Sequence, residues 1–234
     1  MATDYGNALP GPQTERTATP RKVMNTDAGL MLIPGGEIID GSKSRDPGNT
    51  GDVDVLRAGL LMGKITASGK YAPSVIGALT VAYDKDGSLA TSMTVSAATA
   101  TELVRRIGSS GTFGIVGPPT AAGTVATEQV TYSAVNTTTG VITVTTAAAD
   151  YVVGSLIRPE DGSQAPICLI NDGYGLKVTD ADDTSIDTQF AQPVIAGNVD
   201  ASQIINYSSD TSIQAWIKAQ LRTNGGSWTF DDDF

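Results

Sequence analysis

The sequence contains no histidine and only one cysteine, and these two shortages exclude several kinds of chemistry. Ser–His and Cys–His nucleophiles need a base of tuned pKa, which is usually histidine, and zinc sites are built mainly from His and Cys. Cys168 lies in the apolar run 165–170, where we expect a buried, unreactive thiol. We therefore predict that the chain is not an enzyme and that it holds no cofactor.

Long apolar runs and clustered positive charge are also missing. No stretch approaches the roughly 20 apolar residues that a membrane helix needs, and the first residues lack the basic and apolar regions of a signal peptide. The chain has 15 Lys and Arg against 25 Asp and Glu, a net charge of −10, whereas binding to phosphates requires clustered Lys and Arg. We expect no membrane contact, no direct nucleic-acid contact, and synthesis in a cytoplasm.

Residues 1–54 are rich in proline and glycine and show no helical period. A segment with so few core-forming residues is usually ordered by a partner. We therefore interpret 1–54 as an extended N-terminal arm that lies on a partner surface or within a tight oligomer. Its one short apolar patch, Leu30-Met31-Leu32-Ile33, is a candidate strand.

Residues 55–80 show a strand–turn–strand pattern without any catalytic group. A turn at Gly59 precedes a short strand over 61–65, and a turn at Gly69 precedes a strand that begins at Tyr71. Glycine adopts the backbone angles of such turns at low cost. Small and apolar residues between turns are typical of a half-buried sheet.

Residues 81–164 are predicted to form a β-rich module inserted into the rest of the chain. A capping-box pattern at 99–102 predicts the start of its one helix, and Gly108 predicts the end. The expected strands cover 112–116, 128–135, 141–146 and 152–157. The second and third of these strands are expected to form a hairpin.

Residues 165–234 are predicted to complete the core that 55–80 begins. The candidate strands cover 166–170, 189–195 and 202–207. A second capping box at 211–214 starts a helix whose apolar residues repeat on one face. Asn224-Gly225-Gly226 ends this helix, and Trp228 and Phe230 form a last short strand.

Two parts of the chain resemble the head decoration proteins of phages, the lambda-type family that binds the outside of icosahedral capsids. The first match is a Gly-Lys-Ile-Thr-like strand followed by a Gly-Lys-Tyr turn, and its residues are Leu56, Ala58, Gly59, Gly63, Lys64, Ile65, Gly69, Lys70 and Tyr71. The second match is a valine-rich strand, a helix ending Lys-x-x-Leu-Arg, glycine and an aromatic strand, and its residues are Val194, Ile195, Gly197, Val199, Ala201, Ile213, Ile217, Lys218, Leu221, Arg222, Gly225, Gly226 and Phe230. The matches cover the core, 55–80 and 165–234, whereas a minimal family member lacks the intervening module.

The resemblance implies a mainly-β fold: a small β-clip or β-barrel-like decoration core with a C-terminal helix, to which this chain adds the inserted module and the arm. It also implies a homotrimer on the outer surface of a phage head, with arms that add a strand to a sheet of the major capsid protein. The hypothetical capsid contacts are Leu30, Met31, Leu32 and Ile33. The hypothetical trimer contacts are Trp228 and Phe230.

The expected function is therefore that of a capsid decoration, or cement, protein of the virion that stabilises the expanded shell. The inserted module would face outward, where it would bind a receptor or glycan or else contact neighbouring decoration trimers. The alternative is a tail, baseplate or adhesin-type structural protein of the virion. Copy number separates the two, because a decoration protein approaches the number of capsid subunits.

Two acidic clusters invite other interpretations. The aspartates between Asp180 and Asp187 could bind a cation or act as a hydrolase pair, but an EF-hand loop from Asp180 would need Gly and Glu where the chain has Ser185 and Ala191. Facing carboxylates cannot be recognised from sequence, so we expect a solvated loop. For the run 231–233, which could also bind cations or a basic groove, we expect a flexible acidic tail.

Overall fold

The computed structural model describes residues 20–88, 90–119, 125–145, 147–190 and 193–233. Strands make up 36% and helices 16% of the structure, so the predicted mainly-β fold with a C-terminal helix is confirmed. In the described part of the chain the strands form two curled sheets and a two-stranded ribbon.

The first sheet collects strands from distant parts of the chain. Its strands are β1 (Met24–Leu32), β2 (Glu37–Ile39), β4 (Leu61–Lys64), β5 (Tyr71–Pro73), β12 (Cys168–Leu169), β14 (Thr188–Phe190), β15 (Val194–Val199) and β16 (Trp228–Phe230). They follow the order β1-β15-β12-β4-β5-β2-β14, and β16 pairs in parallel with β15. The ribbon pairs β3 (Val55–Leu56) with β13 (Leu176–Lys177).

The second sheet comes from one continuous segment. Its strands are β6 (Gly77–Ala78), β7 (Ser92–Thr94), β8 (Gly111–Pro119), β9 (Val125–Asn136), β10 (Val141–Val144) and β11 (Leu156–Arg158), in the order β6-β11-β8-β9-β10-β7. A bridge between Leu79 and Val95 connects the segments next to the two outer strands, so the sheet curls back on itself. Phe113 and Tyr132 pack inside it with ring centroids 5.6 Å apart. The predicted hairpin is confirmed by the pairing of β9 with β10.

Helix α1 (Ala97–Arg106) packs its residues Ala100 and Leu103 into the core of the second sheet. Its predicted start at Thr99 was wrong. The Ser96 hydroxyl accepts a hydrogen bond from the Thr99 N–H at 3.1 Å and so caps the helix earlier. Ser96 and Thr99 are both residue types that cap helices, and in the structure Ser96 is the N-cap.

Helix α2 (Thr211–Asn224) connects the cores of the two sheets. Its buried residues Ile213, Ile217 and Leu221 belong to one apolar cluster that also contains Val199 of β15 and Val116 of β8. The side chains that make this helix amphipathic therefore pack against both sheets. Removing them from water is the main source of stability for such a helix.

The helix was predicted correctly, but its cap lies one residue upstream of the predicted box. The Asp210 carboxylate accepts hydrogen bonds from the N–H groups of Ser212 and Ile213, at 2.9 and 3.2 Å. A carboxylate at this position also interacts favourably with the positive end of the helix dipole. At the other end, the Gly225 N–H donates to Leu221 O at 2.8 Å.

The predicted strand over 202–207 was wrong. The Asp200 carboxylate accepts a hydrogen bond from Ser202 N at 3.0 Å and starts a 3-10 turn, and Asn206 adopts a left-handed φ of 62°. These turns prevent a regular ladder but still bury Ile204 and Ile205. The apolar pattern therefore predicted burial correctly and strand geometry incorrectly.

Two segments of the predicted arm belong to the first sheet. Strands β1 and β2 lie inside 1–54, and Val23, Met24 and Ile39 are buried. The predicted patch 30–33 is part of a longer strand that begins at Met24. The limits of the arm and of the inserted module stay predictions. Strand β6 lies before residue 81, the predicted start of the module, and it pairs with β11, which lies within the module.

Candidate functional site

The predicted capsid contact, 30–33, lies at the end of an edge strand. Strand β1 pairs with β15 on one side, and no described strand lies on its other side. Met31 is 54% exposed, whereas Leu30 and Leu32 pack against the apolar cluster that contains α2. Ile33 packs against another cluster and donates its N–H to Pro193 O at 3.0 Å. Of the four residues, Met31 is therefore the one available to a partner.

The pairing between β1 and β15 is irregular. Register shifts occur between Met24 and Thr26, between Thr26 and Met31, and between Met31 and Leu32, and Gly29 adopts a φ of 77°. Irregularities of this kind twist an edge strand and limit uncontrolled pairing with other chains. A partner of this edge must therefore match its particular shape, which favours specific over general strand addition.

The predicted trimer contacts, Trp228 and Phe230, lie on β16 and are buried within the single chain, at 3% and 0% exposure. Two cations cover Phe230: Lys218 Nζ lies 5.3 Å and Arg222 Cζ 5.2 Å from its ring centroid. Thr229, between the two aromatic residues, is exposed. The trimer role of this strand stays a prediction, and Thr229 is its residue that faces solvent.

The acidic run Asp231–Asp233 is fastened to α2, so the expected flexible tail was wrong. The run forms a 3-10 turn. Lys218 Nζ lies 2.6 Å from a carboxylate oxygen of Asp232 and 2.9 Å from one of Asp233, and Arg222 Nη2 lies 2.5 Å from the other Asp233 oxygen. The sequence signal for this contact was a lysine and an arginine one helical turn apart, followed closely by three aspartates.

The contacts between Lys218 and the two aspartates shift the pKa values of these three groups. Burial alone would raise the pKa of Asp232 and Asp233. Hydrogen bonds from Lys218, together with one from Tyr207 to Asp232 and one from the Phe230 N–H to Asp233, outweigh burial and hold both pKa values below the usual range. Burial alone would lower the pKa of Lys218, but its hydrogen bonds to the two aspartates raise it. All three groups are therefore charged at neutral pH.

The outer face of α2 lines an open groove of about 620 Å³ beside the acidic turn. The lining residues are Thr211, Gln214, Ala215, Lys218, Ala219, Arg222, Thr223, Asp232 and Asp233. Because the two cations and the two carboxylates of this groove are paired with one another, the groove offers shape and hydrogen bonding to a partner rather than net charge.

The aspartates between 180 and 187 do not converge on one point. The Asp180 carboxylate accepts hydrogen bonds from the N–H groups of Asp182 and Thr184, at 3.0 and 2.8 Å, and Asp187 forms an ion pair with Lys70 at 2.5 Å. Among the residues that the structure describes, no group of three His, Cys, Asp or Glu side chains is placed to hold a metal ion. Asp180 therefore organises its own loop, whereas Asp187 is paired with Lys70 outside it.

Two further expectations concern Cys168 and the membrane. Cys168 is fully buried, and burial raises the pKa of its thiol, so the predicted buried cysteine is confirmed. In the described ranges, neither helix has the length and apolar character needed to cross a bilayer.

Comparison with known proteins adds no relative. No protein-family model matches the chain, and searches of curated proteins and of solved structures find no match either. Function is therefore inferred from the residues and geometry of this chain.

Proposed function

We propose that the chain is a capsid decoration protein that binds the outer surface of a phage head and stabilises the expanded shell. The observation that carries the proposal is the edge strand β1, which is held to the core by β15 on one side and has no described partner strand on the other. An edge of this kind pairs with an extended segment of another protein through main-chain hydrogen bonds, and exposed side chains set the specificity.

Two glycines of the family-like motif support the resemblance, because they lie where the matched segments pack together. A Cβ atom on Gly59 would come within 2.0 Å of Gln203 O, and one on Gly63 would come within 2.1 Å of Ser163 O, at the end of the predicted module, and 2.6 Å of Ala165 O. Larger residues would push 55–80 away from 165–234. Both positions therefore have a structural reason to be glycine, and the two matched segments form one unit around the pairing of β4 with β12.

A protein of this type acts by adhesion. In the homotrimer that the resemblance implies, three β1 edges would engage neighbouring capsid subunits at once, and the raised effective concentration would turn modest contacts into firm attachment. Binding to the expanded shell alone stabilises that state by mass action. The net charge of −10 fits a position on the outside of the shell, away from the packaged nucleic acid.

In this arrangement the second sheet projects from the shell. The outward side of β9 carries uncharged polar residues, which are Thr127, Gln129, Thr131 and Ser133. A surface of hydroxyl and amide groups suits either of the two roles considered for this module, binding to a receptor or glycan and contact with neighbouring trimers.

The test is binding of the purified protein to expanded shells that lack a decoration protein. Met31→Asp places a charge on the β1 edge without disturbing a buried group, and we expect shell affinity to fall about tenfold or more, as for loss of an interface hot spot. Val153→Asp is the matched control, because Val153 is also 54% exposed and lies outside the first sheet. Equal binding by the two variants would refute the role of β1.

Removal of residues 1–50 is a poor test, since it deletes β1 and β2 together with the buried Val23 and Ile39. Removal of 1–19 keeps every described strand and tests whether the preceding segment contributes to shell binding.

Counting copies per particle separates a decoration protein from the alternative, because a tail, baseplate or adhesin component would be far scarcer than the capsid subunits.

A further inference from the structure

Arg158, on β11, carries a guanidinium group whose hydrogen-bonding capacity is mostly unused. Its Nε is buried without a partner among the described residues, and its Nη1 reaches only Gln164 O, at 3.5 Å. Glu160 acts on it as a nearby charge that partly offsets the lowering of its pKa by burial. An arginine presents five donors, and leaving them unpaired in a half-buried position is unfavourable. Among the described residues, the long contact with Gln164 O is therefore the one hydrogen bond that this group makes.

The chain nevertheless fixes the orientation of this guanidinium. Its Cζ lies over the ring of Trp216, 5.1 Å from the centroid. The neighbouring Glu160 accepts a hydrogen bond from Gln129 Nε2 at 2.8 Å through one carboxylate oxygen. Its other oxygen lies over Gly114, where a Cβ atom would come within 2.0 Å of that oxygen and 3.3 Å of Arg158 Nη2. The stack positions Arg158, and Gln129 engages one oxygen of the nearest carboxylate.

We propose that Arg158 is a docking point for a carboxylate group from an aspartate or glutamate side chain of a partner protein. A carboxylate is planar and singly charged, which matches a guanidinium fork. The charge of Glu160 and the net charge of −10 oppose any anion, and they oppose a phosphate dianion more strongly than a singly charged carboxylate. A sugar ring is disfavoured because Arg158 already covers one face of Trp216.

This site uses no residue of β1 and does not depend on the proposed function. The stack joins β11 of the second sheet to α2, so an acidic side chain bound there would contact both elements. The partner's chemistry is a single acidic residue on a surface loop, presented to the junction between the helix and the sheet.

The test uses short peptides as probes. Acetyl-Gly-Glu-Gly-amide and acetyl-Gly-Gln-Gly-amide are titrated into the full chain while the side-chain Nε–Hε signal of Arg158 and the indole signal of Trp216 are followed by NMR. We expect both signals to shift with the glutamate peptide and to stay in place with the glutamine peptide. Arg158→Gln should raise the dissociation constant about tenfold, and Lys177→Gln, which removes an exposed positive charge elsewhere, should leave it unchanged.

Several results would overturn the proposal: equal shifts with the two peptides, unchanged affinity in Arg158→Gln, or tighter binding of free galacturonate than of the glutamate peptide. If Arg158→Gln does not fold, Arg158→Lys keeps the charge and removes the fork. The peptide comparison on the unmodified chain decides the question without any substitution.

Discussion

The two sheets of this protein are assembled in opposite ways. The second sheet takes all its strands from 77–158, and hairpins such as β9–β10 join neighbours in sequence. The first sheet pairs β1 with β15, where Asn25 and Asn198 share a hydrogen bond although they are 173 positions apart. Contacts between distant residues carry a larger loop-closure cost than local ones. The first sheet therefore depends more on other elements to hold it together.

Helix α2 is the element that packs against the first sheet and connects it to the second. Its apolar face packs in a cluster that includes residues of β1, β15 and β16 from the first sheet and of β8 and β11 from the second. The stability of the two sheets is thus linked through one helix, although their strands come from different parts of the chain. Substitutions inside one sheet should therefore lower the stability of that sheet most, whereas substitutions on the apolar face of α2 should lower the stability of both sheets.

The largest effect is expected from Phe113→Ala in the second sheet. Phe113 is fully buried and packs against Tyr132, and the loss should be about 3–5 kcal/mol in the free energy of unfolding. Denaturant unfolding with amide exchange should show the greatest loss of protection in β8, β9 and β10. Val153→Ala, at an exposed position, should change the free energy by less than about 0.5 kcal/mol. Equal loss of protection in β1 and β15 would mean that the sheets unfold together.

Ile217→Ala should weaken both sheets. Ile217 is fully buried in the shared cluster, and removing its side chain should cost about 2–5 kcal/mol. Amide exchange should accelerate in β15 and in β8 to a similar extent. Ala215→Ser, on the exposed side of the same helix, should cost only about 0.5 kcal/mol. Protection lost in one sheet alone would show that α2 does not link them.

Ser96→Ala should have a smaller effect that is confined to the second sheet. The substitution removes the hydroxyl that accepts a hydrogen bond from Thr99 N, and loss of such a cap costs about 1 kcal/mol. The exposed Thr101→Ala in the same helix is the control, with an expected change below about 0.5 kcal/mol. A larger loss in Thr101→Ala than in Ser96→Ala, measured by denaturant unfolding, would contradict the assigned cap.

The smallest effect is expected on acidification of the turn 231–233. Because the pKa values of Asp232 and Asp233 are depressed in the folded chain, their stabilising contribution is present above about pH 4 and is lost as the pH falls through the folded values. Protection of the Phe230 amide, which donates to Asp233, should fall over this range when exchange is compared with the intrinsic rate at each pH. Asp232→Asn combined with Asp233→Asn should lower this protection at neutral pH and remove its dependence on pH.

Acid sensitivity should persist elsewhere in that double variant. Burial alone would raise the pKa of Asp161, but the charge of Arg106 and hydrogen bonds from Ser163 lower it. Asp161 therefore also contributes stability that disappears at low pH.

An unchanged Phe230 exchange rate in the double variant would show that the acidic turn does not hold β16.

The elements that the sequence predicted well are those with local causes. The hairpin β9–β10 follows from alternation and a turn, and α2 follows from apolar spacing between a cap and glycine. The failures have distant or competing causes. Nothing near Met24 shows that its strand will pair with β15, and Asp210 competes with Thr211 for the same cap.

Prediction of the candidate sites from the sequence was limited in the same way. The patch 30–33 was recognisable as apolar, but only the structure separates the exposed Met31 from the packed Leu30 and Leu32. The turn 231–233 was expected to be free because its partners, Lys218 and Arg222, belong to another element. The stack of Arg158 on Trp216 joins residues that the sequence treats separately.

The distance between β1 and β15 along the chain also sets an order for synthesis. The ribosome completes every strand of the second sheet before it reaches β15. At about 5–20 residues per second, β1 waits on the order of 10 s for its partner. During that time a nascent chain carries the β1 segment without the strand that it pairs with in the folded protein, and such an unpaired segment is available to other newly made chains.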